Sequence, residues 1–241
     1  GRKNLILTNG YHTGSDNGGG AINVNTGSLI LENCIILNNN AYSTSSTKGT
    51  AVSYGGGAIC VNGNTYVSIN NCSFINNTLR GLCNVGGGAI MFKSNSNFTV
   101  NNSVFINNKV ISGMSTFGGA ITEREIKSGK ITNCNFINNT AGMGKSISVH
   151  KAILTGNQFI NSGIDYAFSS SGSCTYNAFI NGGISFSNSP SCSATIKNNW
   201  FGYNPSSKNS NIVADLINNG GTIYVTLTKD GYGNNLSNTG I

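Results

Sequence analysis

Charge is scarce in this sequence. Fourteen Lys and Arg and seven Asp and Glu make up 9% of 241 residues, against roughly a quarter in an ordinary globular domain. Unfolded chains usually carry high net charge and lack a repeating apolar pattern. Here the formal charge is only +7, and Ile, Val and Phe return at fixed offsets, so the chain reads as ordered. The lysines are scattered, with no dense basic face and no known module, which argues against nucleic acid as a partner. Weak attraction to an anionic cell surface or glycan remains open. Proline occurs twice, as suits stacked strands, because its ring removes a ladder hydrogen bond. The two histidines, His12 and His150, stand far apart, and no Cys spacing matches a metal site, so neither a metal nor a cofactor is expected. No apolar run is long enough to span or insert into a membrane. No export leader is visible, and the chain opens on a strand-like Gly1–Leu7 and stops mid-phrase. It reads as a fragment cut from something longer, so a missing leader carries no weight.

What the sequence does have is a repeat. Gly-Gly-Gly-Ala-Ile occurs at Gly18–Ile22, Gly55–Ile59 and Gly86–Ile90, with a shortened copy at Gly118–Ile121. Each copy is answered downstream by an Ile- or Phe-centred phrase ending in Asn-Asn, at Ile36–Asn39, Phe74–Asn77, Phe105–Asn108 and Phe136–Asn139. Weaker echoes follow at Phe159, Phe179 and Phe201, so the unit shortens from 38 and 31 residues to 23, 20 and 22. A fixed period of this size marks one supersecondary unit stacked on copies of itself. Each unit holds three short strands: one after the glycines, one with alternating apolar residues such as Tyr66–Ile69, and the Phe-Ile-Asn segment. Period-two alternation without a 3.6-residue pattern specifies strand. The expected fold is all-β, a right-handed parallel β-helix of about eight rungs over residues 1–205. Residues 206–241, with an alternating strand at Thr222–Thr228, are expected to cap it or to begin a neighbouring module.

Stacking predicts columns. The Asn after each Phe (Asn38, Asn76, Asn107, Asn138, Asn161, Asn181) is expected to form an amide ladder. The paired glycines are expected at a corner where a Cβ would collide or φ must be positive. Cys34, Cys72 and Cys134 stand two places before the aromatic position, and Cys174 five before. Cysteines at those places fill interior columns as small apolar residues. A Cys34–Cys72 disulfide between adjacent rungs is open on spacing; Cys83 and Cys192 have no evident mate.

Alternating Gly-Gly-Ala-Ile and Phe-x-x-Asn phrases resemble the repeat of polymorphic outer-membrane-type adhesins. The Asn-Cys-x-Phe-Ile-Asn-Asn wording and the Asn198–Gly202 closing are similar to adhesin-like surface proteins of methanogenic archaea. The resemblance covers roughly residues 18–204. It implies export, an extracellular cell-surface location, and adhesion to a glycan or protein of another cell, with this segment a monomeric part of a larger protein. It supplies no catalytic residues.

Local chemistry gives few rivals. Gly142–Ser146 mimics the end of a phosphate-binding loop, but Asn139 stands where that motif needs Gly and a strand pattern follows where it needs a helix. A polysaccharide lyase or glycosidase on this scaffold needs carboxylates about 5–9.5 Å apart; the one close pair is Glu123 and Glu125, read as sharing one strand face. Glu123 aligns with Val24, Val61 and Phe92, an interior column, so it implies a bulge or a buried carboxylate paired with Arg124. Lys93, Arg124 and His150 share the next column, expected to face outward as a basic stripe. The surplus segments before the glycines, Ala41–Tyr54, Leu79–Val85 and Val110–Phe117, read as loops forming one ridge, with Tyr42, Tyr54, Arg80, Met114 and Phe117 as binding candidates. A non-catalytic adhesin is the leading expectation; the alternatives are a polysaccharide-active enzyme and a stalk displaying a distal tip.

Overall fold

A computed structural model describes residues 2–15, 18–45, 55–112, 114–166, 171–185, 194–201 and 224–226. These residues contain strands and turns and no helix, and every strand pairing among them is parallel. Three sheets run through the stack of described rungs. One, the alternating sheet, contains Gly27–Glu32, Thr65–Asn70, Asn97–Asn101, Ser128–Thr132, Ile153–Thr155, Ser173–Thr175 and Thr195–Lys197. The aromatic sheet has eight strands, Ile6–Thr8, Ile35–Leu37, Ser73–Ile75, Val104–Ile106, Asn135–Ile137, Gln158–Ile160, Ala178–Ile180 and Trp200–Phe201. The glycine sheet follows each Gly-Gly phrase, from Ile22–Val24 through Ile59–Val61, Ile90–Phe92, Ile121–Glu123, Ile147–Val149 and Ile164–Tyr166 to Ile184–Ser185. The expected three-stranded solenoid is therefore present, with one strand of each kind per rung.

Register follows the repeat. Ile36, Phe74, Phe105, Phe136, Phe159 and Phe179 are successive Cα partners. All six are fully buried, and the rings from Phe74 to Phe179 stack with centroids 4.7–4.9 Å apart. That spacing is the strand repeat itself, so offset stacking is imposed by the backbone and adds about 0.5–1.5 kcal/mol per pair to the burial of each ring.

Two kinds of Asn position turn the chain. Asn38, Asn76, Asn107, Asn138, Asn161 and Asn181 sit at φ between 49° and 56°, the left-handed region that Asn tolerates better than most residues. They are exposed corners, and only part of this column is laddered, as in Asn161 Nδ2 to Asn138 Oδ1 at 2.9 Å. The continuous buried ladder lies one residue later, at Asn39, Asn77, Asn108 and Asn139. The Oδ1 of Asn77, Asn108 and Asn139 each accepts the backbone and side-chain N–H of the Asn one rung before it, at 2.9–3.0 Å, and that of Asn39 accepts the Gly10 N–H at 2.9 Å. Each Nδ2 also donates to an interior carbonyl, such as Asn108 to Phe74 O at 2.9 Å. A second buried ladder, Asn157, Asn177 and Asn199, continues the column begun by Cys34, Cys72, Ser103 and Cys134. The glycine corner meets both expectations: Gly87 has φ +87°, and a Cβ on Gly88 would strike the carbonyl oxygen of Gly119 on the next rung.

One open alternative is closed and one expectation needs correction. Cys34, Cys60, Cys72, Cys83, Cys134 and Cys174 are buried and form no disulfide; the Cys34 backbone N–H donates to Cys72 Sγ at 3.4 Å. The surplus segments are also not loops throughout. Tyr11–Gly14, Asn40–Ser43, Thr78–Gly81 and Lys109–Ser112 form a fourth parallel sheet. Ala41, Leu79 and Val110 turn inward there and form a second small core with Val85 and Ala141. Of the tail, only Tyr224–Thr226 is described; it adds to the alternating sheet beside Thr195–Lys197. The cap-or-module expectation for 206–241 otherwise lies outside the described residues.

Candidate functional site

The fourth sheet turns one row of side chains outward. Thr13, Tyr42, Arg80 and Ile111 are successive register partners, and the row beside it is Tyr11, Asn40, Thr78 and Lys109. Ala41, Leu79 and Val110 lie between the rows and face the core, so alternation forces Tyr42 and Arg80 to the surface. Arg80 and Lys109 are exposed and Tyr42 half-buried, while Tyr11 is 67% and Ile111 38% exposed. Adjacent rungs bring Tyr42 and Arg80 within about 4.8 Å at the backbone. The result is a rigid strand-borne patch of phenol rings, two cations and an aliphatic residue.

The other loop candidates separate from it. Phe117 is buried, 3% exposed, in a cluster with Cys60, Met91 and Met143, so it is a packing residue and not a surface contact. Met114 is 45% exposed in the turn after Lys109–Ser112. Tyr54 lies outside the described residues.

The basic column exists but is not fully outward. Lys93, Arg124 and His150 each directly follow a strand of the glycine sheet, and all three are half-buried. Burial lowers the pKa of Lys93, and the charge of Arg124 lowers it further, while Cys60 and Glu125 act in the opposite direction. Burial also lowers that of His150, with Lys151 and Arg124 adding to the effect. Arg124 reaches Glu125, 3.5 Å away, rather than Glu123. Glu125 is exposed, in the left-handed conformation at φ 52°. It therefore does not share a face with Glu123, which is buried.

Glu123 keeps the interior register, as the Cα partner of Phe92 in the column of Val24 and Val61. It is 3% exposed. Its Oε1 accepts the backbone N–H groups of His150, Lys151 and Ala152 at 2.9, 3.2 and 2.8 Å. The local reason is a change of repeat length. Six residues separate Glu123 from Lys130, but only three separate Val149 from Ile153, the partner of Lys130. In the longer turns, Arg124 N–H and Lys127 N–H find carbonyls of the rung before. The shortened turn has none opposite it, and the Glu123 carboxylate fills that place. Burial raises its pKa to about 7, against the pull of the three amides and of Lys151. A carboxylate so occupied is a splice between rungs of unequal length.

The phosphate-loop mimic is likewise structural. Ser146 is fully buried, bonded to Ser162 and Asn139, and Ile147–Val149 continues as strand. Among the described residues no group of three or more His, Cys, Asp or Glu converges as a metal site would require. Comparison of the chain with protein-family models, curated proteins and solved structures finds no match.

Proposed function

We propose that this chain is a binding segment of an exported, adhesin-like surface protein that holds an anionic glycan or an acidic protein surface on another cell without turning it over. The observation that carries the reading is the outer row of the fourth sheet, where Tyr42 and Arg80 stand side by side beside Tyr11 and Lys109 on successive rungs. Phenol rings give sugar rings or side chains a flat apolar contact. A guanidinium adds bidentate recognition of carboxylate or sulfate. The formal charge of +7 favours approach of an anionic partner at long range. Hydrolysis is the weaker reading because Glu123, the one interior acid of the glycine sheet's inner column, is engaged by three amides.

The test is binding of the chain to a panel of acidic and neutral polysaccharides and to whole cells. We expect retention on acidic ligands, weakened at least tenfold in Tyr42→Ala/Arg80→Ala with circular dichroism unchanged. Equal retention of the double variant would remove the proposed site. Release of reducing ends that disappears in Glu123→Gln would show an enzyme instead.

A further inference from the structure

The outer face of the aromatic sheet carries no charged side chain on any of its eight strands. The residue after each inward Phe forms one column, Leu37, Ile75, Ile106, Ile137, Ile160 and Ile180, in continuous register and half-exposed along its whole length. The residue before each Phe forms a parallel, uncharged column, beginning at Ile6 and Ile35, 66% and 39% exposed, and passing through Ser73, Val104, Asn135 and Gln158 to Ala178 and Trp200. Exposed Asn corners line both borders, Asn33, Asn71, Asn102 and Asn133 on one side and Asn38, Asn76, Asn107 and Asn138 on the other. Surface isoleucines scattered singly need no explanation, but a contiguous strip marks an interaction surface.

We propose that this face takes a second copy of the same chain, packed sheet to sheet about a two-fold axis. Three features select that occupant. The chain is basic, with a formal charge of +7, and this face carries none of that charge, so two copies meet on it without like-charge repulsion. The two partners would share one rung spacing, about 4.8 Å, so ridges of one Ile column seat between ridges of the other at every rung without loss of step. Each border amide both donates and accepts, so amides related by a two-fold axis satisfy one another.

The area sets the strength. Eight strands at about 4.8 Å and a width of five residues at about 3.3 Å make a face of about 600 Å². Two such faces bury about 1,200 Å², the lower end of specific interfaces. The association is therefore reversible and concentration-dependent.

Sedimentation velocity on the wild-type chain, from about 10 μM to about 1 mM, tests it. We expect the mass to rise from 25.1 kDa toward twice that value. A wild-type chain that stays monomeric throughout overturns the proposal, whatever the variants do. Ile106→Glu/Ile137→Glu, at half-exposed positions in the middle of the strip, is expected to weaken association at least tenfold. Thr99→Glu, on the exposed face of the alternating sheet, is expected to leave it unchanged. Undiminished association of a folded Ile106→Glu/Ile137→Glu chain, or equal loss in Thr99→Glu, refutes this face. If the wild type is monomeric but is held by neutral polysaccharide or lipid vesicles through Ile106, the face belongs to that partner and the self-association is wrong.

Discussion

Replacing Glu123 by Gln changes one atom type in the interior and should change how stability depends on pH. Oε1 is bonded to three consecutive amides, and Gln keeps an oxygen there while losing the proton equilibrium. The folded carboxyl titrates near 7, raised by burial from an ordinary value of 4.5. The folded chain thus binds this proton more tightly than the unfolded chain. The stability it contributes is complete below about pH 4.5 and is lost as pH rises to about 7. At about 1.4 kcal/mol per pH unit, the loss across that window is about 3 kcal/mol. His150, whose pKa burial lowers, and the charged Arg124, Glu125 and Lys151 stand close in sequence to Glu123 or to the amides it binds. Subtracting the two proteins at each pH removes most of their contribution. Urea unfolding followed by circular dichroism from pH 4 to pH 8 should show Glu123→Gln gaining on the wild type by about 3 kcal/mol, with no further gain above pH 8. A difference that stays flat within about 0.5 kcal/mol across the range would refute the buried, proton-holding carboxyl. Glu123→Val makes the complementary test. It restores the residue of Val24 and Val61 but orphans three amides, at about 1–3 kcal/mol each. Hydrogen exchange at His150, Lys151 and Ala152 should then accelerate, and unchanged protection would mean those amides have other acceptors.

Other consequences follow from the spines. Phe136→Ala, in the middle of the ring stack, should cost about 3–5 kcal/mol in urea unfolding; a cost under about 1 kcal/mol would mean the coils close over the gap. Asn108→Ala removes the acceptor for Asn77 N–H and Nδ2 and the donor to Phe74 O. At about 1–3 kcal/mol per orphaned group it should destabilise as much as the Phe deletion, and a neutral melt would show the ladder to be ornamental. The six described thiols are buried, and burial raises Cys72 to about 11 and Cys134 to about 12. They should therefore resist an aromatic disulfide reagent at pH 8 until the chain unfolds, and rapid native labelling at Cys72 or Cys134 would contradict that burial.

Most of the fold was legible because one phrase is copied. Copies must stack, and stacking fixes register, so the Phe spine, the interior Cys positions and the glycine corner could be read from spacing alone. The fourth sheet escaped because its strands carry only one inward apolar residue each, Ala41, Leu79 or Val110, preceded in every case by a polar one. Reading those three as one inward column would have found it, and would have set Tyr42 and Arg80 on a strand instead of a loop. Phe117 was mistaken for a surface residue for the same reason, since its partners Cys60, Met91 and Met143 belong to three other rungs. The second Asn, not the first, carries the unbroken ladder because the first is consumed by the left-handed turn. Glu123 was recognisable as an acid in an apolar column, but its partners are backbone amides exposed by a length mismatch, and no side-chain pattern announces those.

The doubly tied asparagines also govern how such a molecule can grow. Asn39, Asn77, Asn108, Asn157 and Asn177 are each claimed by the coil on either side, so a fragment of a coil inserted or removed there leaves two mismatched seams. A whole coil added or excised leaves none. Length therefore varies in complete turns, like washers on a bolt. Where turns of different circumference meet, one acidic side chain serves as the shim.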